Sequence, residues 1–169
     1  EVKDTDQDPL IIEIYYPEVS PTSDYLKPRI LVEIGSRSLM EPCTPRVFSS
    51  LVGEHYADQS FADKAITVAT VNPERTILEK VFLLHEEFQK PADRIRTDRL
   101  SRHLYDLERL MDTPYFQIAI TDDSLYHSIV AQRSSITPIR GIDYANHIPS
   151  KIKIIPPESI LKEWQKDYE

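Results

Sequence analysis

At 169 residues, 40% of them hydrophobic, the chain holds enough apolar material for one packed domain, or a domain plus a lobe. Its formal charge of −8 excludes a surface built for indiscriminate phosphate binding, and no apolar run is long enough for a membrane-spanning helix. A lone cysteine, Cys43, excludes an internal disulfide and fits a reducing, cytoplasmic setting.

The chain opens on EVKDTDQDP with no initiator Met, which reads as the start of a fragment. Residues 10–16, LIIEIYY, are β-branched and aromatic and predict a strand. Pro17 and the SPTSD cluster predict a loop. Residues 29–34, RILVEI, predict a second strand, and Gly35-Ser36 permits a turn after it. The two pair most simply antiparallel, with Glu13 and Glu33 as acids inside apolar strands. Residues 41–46, EPCTPR, read as irregular, VFSSLVGEHY as a short helix stopped at Gly53, and AITVATV at 65–71 as a third strand.

From Asn72 the hydrophobic period changes from two to 3.6. Asn72 suits an N-cap and Pro73 the first helical position. Ile77, Val81, Leu84 and Phe88 then predict one core stripe, and Pro91 the stop. A second helix is expected after Thr97 as N-cap, burying Leu100, Leu104, Leu107 and Met111 and ending near Pro114. A third spans about Asp122 to Ser135, led by Leu125 and Ile129. KIKII reads as a strand or extended run, and ESILKEWQKDY as a terminal helix.

Three positions invite a chemical reading. Lys80 falls about 40° from Leu84 on a helical wheel, at the border of the apolar stripe, while Arg75, Glu79, Glu86 and Lys90 make the opposite polar face. A border lysine reads first as one that lays its stem on the core and keeps its ammonium in water. Asp106 has Arg102 four residues before it, a pair worth ~0.3 kcal/mol if exposed. Across two packed helices, however, Lys80 and Asp106 could face one cleft, and with nearby arginines they would suit an anionic ligand such as a nucleotide. Glu33 either sits on the solvent face of its strand or points into a cation site. Residues 94–109 concentrate basic character, with five arginines against three acids. The histidines and Cys43 show no zinc-ligand spacing, and Cys43 has no sequence cue to a base.

The pair of motifs RTILEK…LLHEEF and RLSRHLYDLERL, after RILVEIGSRS…EP, resembles the AbiEii/AbiGii toxin family of nucleotidyltransferase-like proteins, in its C-terminal portion. The resemblance covers most of residues 10–112 and, more loosely, the helical tail. It implies Lys80 and Asp106 as catalytic residues, Glu33 as the third metal-binding carboxylate, and Arg37, Arg75, Arg102 and His103 as substrate-binding. Relatives carry RDLYDL; His103 replaces the first Asp of that motif here. The resemblance also implies Mg²⁺, an NTP substrate, a possible RNA acceptor and a cognate antitoxin, with no membrane partner. The family's G-G-[ST] turn and D-x-D strand are expected to lie before residue 1, which would leave this stretch inactive by itself.

The expected fold is therefore α+β, a small antiparallel sheet followed by a helical bundle. Residues 1–71 would form the strand-rich part of a nucleotidyltransferase-like core and 72–169 a helical lobe. Two other readings stand beside the enzyme. One is a nucleic-acid- or antitoxin-binding helical module, and the other a degenerate relative without activity.

Overall fold

The computed structural model describes residues 2–3, 10–18, 27–35 and 42–169, the first two by their backbone alone. Two units emerge, Glu1–Leu39 and Met40–Glu169. That division follows compactness, whereas a boundary at 71/72 follows the change from strand to helix.

In the first unit β1 (Val2–Lys3), β2 (Leu10–Tyr15) and β3 (Arg29–Ile34) form an antiparallel sheet in that order. Ile12 pairs with Val32 and Glu13 with Leu31, the antiparallel register expected of two apolar runs. Because side chains alternate, Leu10, Ile12, Ile14, Ile30, Val32 and Ile34 share one face. Ile11, Glu13, Tyr15, Arg29, Leu31 and Glu33 share the other. Glu13 is buried there, and its charge is met: Arg29 Nη1 donates to Oε1 at 2.8 Å, and the Tyr15 hydroxyl donates to Oε2.

The second unit opens with the antiparallel pair β4 (Cys43–Phe48) and β5 (Ile66–Val71). Residues 41–46 were expected to be irregular, and this is corrected: Cys43 to Arg46 are strand, with Pro45 opposite Ala69. A two-stranded sheet leaves outward N–H groups without a ladder partner, and such edges are where proline is accommodated. Val47 and Phe48 belong to this strand too, so the following helix, α1 (Leu51–His55), is shorter than expected. Gly53 lies inside α1 and does not stop it. A Cβ at Gly53 would meet Asp63 Oδ1 at 2.1 Å, and Asp63 is fixed by the Ser50 backbone N–H at 2.9 Å, so the close approach requires glycine.

Five further helices complete the unit: α2 (Pro73–Glu87), α3 (Ser101–Met111), α4 (Pro114–Thr121), α5 (Asp123–Ser135) and α6 (Leu161–Tyr168). α2 begins where expected, after Asn72, with Pro73 in its first turn. The Asn72 side chain does not cap its own helix; it bridges Thr44 at 2.8 Å and Glu74 at 3.0 Å, tying the hairpin to α2. α5 starts where expected, and Asp122 caps it, its Oδ1 accepting from Leu125 N at 2.9 Å. α3 ends at Met111, near Pro114 as expected, but Pro114 then starts a helix that was not expected, α4. KIKII is neither helix nor strand after a 3₁₀ turn at Pro149–Lys151.

α2 is the centre of this unit, packed against α3, α4 and α5. Its buried apolar residues are Ile77, Leu78, Phe82, Leu84 and Phe88, around which Leu100, Leu107, Ala119, Leu125, Ile129, Ile160 and Trp164 close the core. Val81 is only partly buried and Met111 is exposed. The expected solvent-facing side of α2 is likewise corrected, because Arg75 and Glu86 are buried. A helix surrounded by three others has no single stripe, and its polar residues survive inside by pairing. Arg133 of α5 supplies that pairing, with Nε 2.7 Å from Glu86 Oε1, Nη2 on Glu86 Oε2 and Nη1 on Glu79. Among the described residues no helix is long and apolar enough to cross a membrane.

Candidate active site

Lys80 projects from α2 toward α3. Its Nζ donates to Asp106 Oδ2 at 2.7 Å and lies 3.3 Å from His103 Nδ1. The Lys80 side chain is 19% exposed and that of Asp106 43%, so the ammonium sits at a mouth that water reaches rather than in the core. Three consecutive features of α3 make this possible. Leu100 and Leu107 are buried and fix the rotation of the helix. His103 and Asp106 are three residues apart and therefore on one face. The helix start is held from elsewhere, because Asp167 of α6 accepts from Arg99 N at 2.6 Å and Ser101 N at 2.9 Å.

This last contact corrects the expected cap at Thr97. Arg99 has φ 57, in the left-handed region that a non-glycine residue seldom adopts. That conformation places the N–H groups of Arg99 and Ser101 on one carboxylate, which also meets the positive end of α3. The preceding loop is tied down by Glu87, whose Oε1 accepts from Arg96 N at 2.7 Å while Oε2 accepts from Lys90 Nζ at 2.7 Å.

The imidazole of His103 is depressed below its ordinary pKa, by burial first, then by Lys80, Arg102 and Arg96, with Asp106 opposing. It is thus neutral at pH 7. The arginines of 94–109 are exposed, and of these Arg96 and Arg102 lie near enough to His103 to act on its charge, while Arg109 lines a groove against α6. One ammonium set among its own partners, with two arginines beside it, can hold an anionic ligand and stabilise charge that develops on it.

Other expected site residues fall elsewhere. Arg75 is 3% exposed and bonded to Glu79 at 3.1 Å and Gln132 at 2.9 Å, on the side of α2 that faces α5. Arg102, by contrast, is exposed beside His103. Glu33 is exposed on β3, opposite Ile11, in the first unit. Arg37 lies outside the described residues. Sequence reasoning gave no role to Glu13 beyond its strand, nor to Arg133 and Asp167. Nothing local marks Arg133 and Asp167, since each acts on a helix distant in sequence.

The sequence description "Nucleotidyl transferase AbiEii toxin, Type IV TA system" matches residues 2–169. The chain belongs to the AbiEii family. No curated protein and no solved structure gives a significant match. AbiEii membership implies a nucleotidyltransferase-like toxin of a type IV toxin–antitoxin system, hence transferase activity, an NTP substrate and a cognate antitoxin. A D-x-D spacing occurs at Asp4-Thr5-Asp6 and Asp6-Gln7-Asp8. These positions lie outside the described residues. AbiEii-type chemistry implies a divalent metal, but among the described residues no group of three or more His, Cys, Asp or Glu is placed to hold one. Glu33 offers one exposed carboxylate, so the described residues by themselves do not make a metal centre.

Proposed function

We propose that Lys80 is the phosphate-contacting cation of a nucleotidyl-transfer site, held in place by Asp106. The observation that carries this reading is the 2.7 Å bond between them, made across two helices at a solvent-reached mouth with Arg96 and Arg102 beside it. In the reaction an acceptor oxygen attacks the α-phosphorus of an NTP, its P–O bond forms, and the bond to pyrophosphate breaks. Negative charge rises on the phosphate oxygens, where a fixed ammonium has its largest effect. Asp106, already paired with Lys80, serves better as its anchor than as the base that takes the acceptor's proton. Arg102, with its side chain exposed, is assigned to the substrate's phosphates. Arg37 is proposed for substrate contact from its place after β3, and Arg75 for support of α2.

RNA is the acceptor class we favour, because the exposed arginines of 94–109 suit a phosphate backbone. Mg²⁺ is the metal we assign, with Glu33 as the carboxylate offered toward it. The setting we infer is the bacterial cytoplasm, in phage defence. The sequence contains no Gly-Gly pair and therefore no G-G-[ST] turn, so we propose that these residues alone transfer little or nothing. A form that supplies the turn would be active. The test is transfer of label from an NTP by the full-length protein and its Lys80→Ala variant. A fall of about a hundredfold or more is expected; equal rates would remove Lys80 from the mechanism.

A second reading, a module that binds nucleic acid or the antitoxin, is favoured by the same exposed arginines. It requires no transfer.

A further inference from the structure

We propose that His103 is a positioning residue for Lys80, with its Nδ1 accepting one ammonium proton while Asp106 accepts another, so that the third is left for the phosphate of a bound NTP. The inference rests on the reading of Lys80 given above, but the cradle itself can be tested without it.

The geometry is specific. An ammonium has three donors and no acceptor. Lys80 Nζ lies 2.7 Å from Asp106 Oδ2 and 3.3 Å from His103 Nδ1, and both partners stand on one face of α3. Two bonds from one rigid helix fix both the position of Nζ and the direction of its remaining proton. With Asp106 alone the ammonium would rotate about a single bond. A neutral imidazole supplies the acceptor without neutralising the ammonium further, which leaves more positive charge for the substrate.

The role requires a neutral ring with its proton on Nε2. Among the described residues the charged groups that bear on this are Lys80 from α2, Arg96 from the loop before α3, and Arg102 and Asp106 from α3 itself. Burial and the three cations disfavour a second proton, and only Asp106 favours it. On acidification Nδ1 gains a proton, ceases to accept, and repels Lys80, so the cradle opens on the acid side of neutrality.

Two measurements decide the matter. The first is ¹⁵N NMR of the imidazoles in the whole chain, assigned with His103→Asn. The expected result is a His103 ring protonated at Nε2 alone at pH 7 and titrating below the ordinary histidine range. A ring carrying its proton on Nδ1 at pH 7 would overturn the proposal. The second is transfer kinetics in the full-length protein. Asparagine sets an acceptor oxygen at the reach of Nδ1 and does not titrate in this range. His103→Asn should therefore keep kcat within about threefold at pH 7 and lack the acid break expected of the wild type. His103→Ala should lower kcat about tenfold with little change in KM for the NTP. Equal kcat for wild type and His103→Ala would also overturn it. If the full-length protein transfers no nucleotide, the proposed function falls, and the NMR result alone decides whether His103 holds Lys80.

Discussion

Asp167 shows how one side chain can set the placement of a site it does not touch. It lies on α6, yet it satisfies N–H groups at the start of α3, the helix that brings His103 and Asp106 to Lys80. Burial works to raise its pKa, but the hydrogen bonds from Ser101, Arg99 and Leu100 outweigh it, and the net shift is downward. Asp167→Ala is expected to cost about 1 kcal/mol, the usual loss when a helix cap is removed. The sign of the pH dependence follows from the lowered pKa. A carboxylate bound more tightly in the folded state stabilises it above the unfolded pKa, and that contribution is lost as pH falls through the folded one. Urea denaturation of wild type and Asp167→Ala should therefore show the gap at pH 7 and its closure in acid, below pH ~3.8. A gap that persists unchanged into strong acid would mean that Asp167 acts through packing.

At the scale of elements, α2 and α5 are joined by charge as much as by apolar contact. Arg133 reaches from α5 to Glu86, which is 1% exposed, and to Glu79 nearer the surface. Arg133→Met leaves Glu86 buried with His147 Nε2 at 3.2 Å as its remaining partner. We expect a loss of about 3 kcal/mol by denaturant unfolding, the usual result of stripping one member from a buried pair. Adding Glu86→Gln should recover part of it, because the uncompensated charge is gone; no recovery would show that Arg133 contributes by shape. This network also marks the limit of what the sequence discloses. The period of α2, its start at Asn72 and Pro73, the β2 and β3 runs and the cap of α5 are all written locally. β4 was hidden because Pro42 and Pro45 read as breakers, although an edge strand tolerates proline. α4 was hidden because proline both ends and begins helices, and Pro114 begins one. The burial of Arg75 and Glu86 depends on Gln132 and Arg133, more than 45 residues away, and no helical wheel contains that information. The meeting of Lys80 and Asp106 was legible because their motifs can be read together. The bond from Lys80 to His103 was not, since a histidine among arginines reads equally well as a phosphate ligand.

For the whole molecule the governing quantity is the contrast between a formal charge of −8 and the exposed arginines of residues 94–109. A uniformly basic protein binds RNA through many phosphates and loses affinity steeply with salt. The densest run of cations in this chain is the five arginines of that segment, and the acidic balance of the rest of the chain opposes phosphate contacts elsewhere. Each phosphate neutralised on a single strand contributes roughly −0.7 to the slope of log K against log salt, so five contacts give about −3.5. Binding of a single-stranded RNA to the chain, measured across a salt series, should therefore have a slope no steeper than about −4. Arg96→Ala and Arg102→Ala should each reduce it by about 0.7, with similar effect on RNAs of different sequence. A substitution at Arg75, buried against α5, should leave the slope unchanged even where it costs stability. A slope that does not respond to Arg96 and Arg102 would place the RNA on another surface and remove the acceptor role from this segment. If no RNA binds at low salt but a purified cognate antitoxin does, the arginines belong to the protein partner instead.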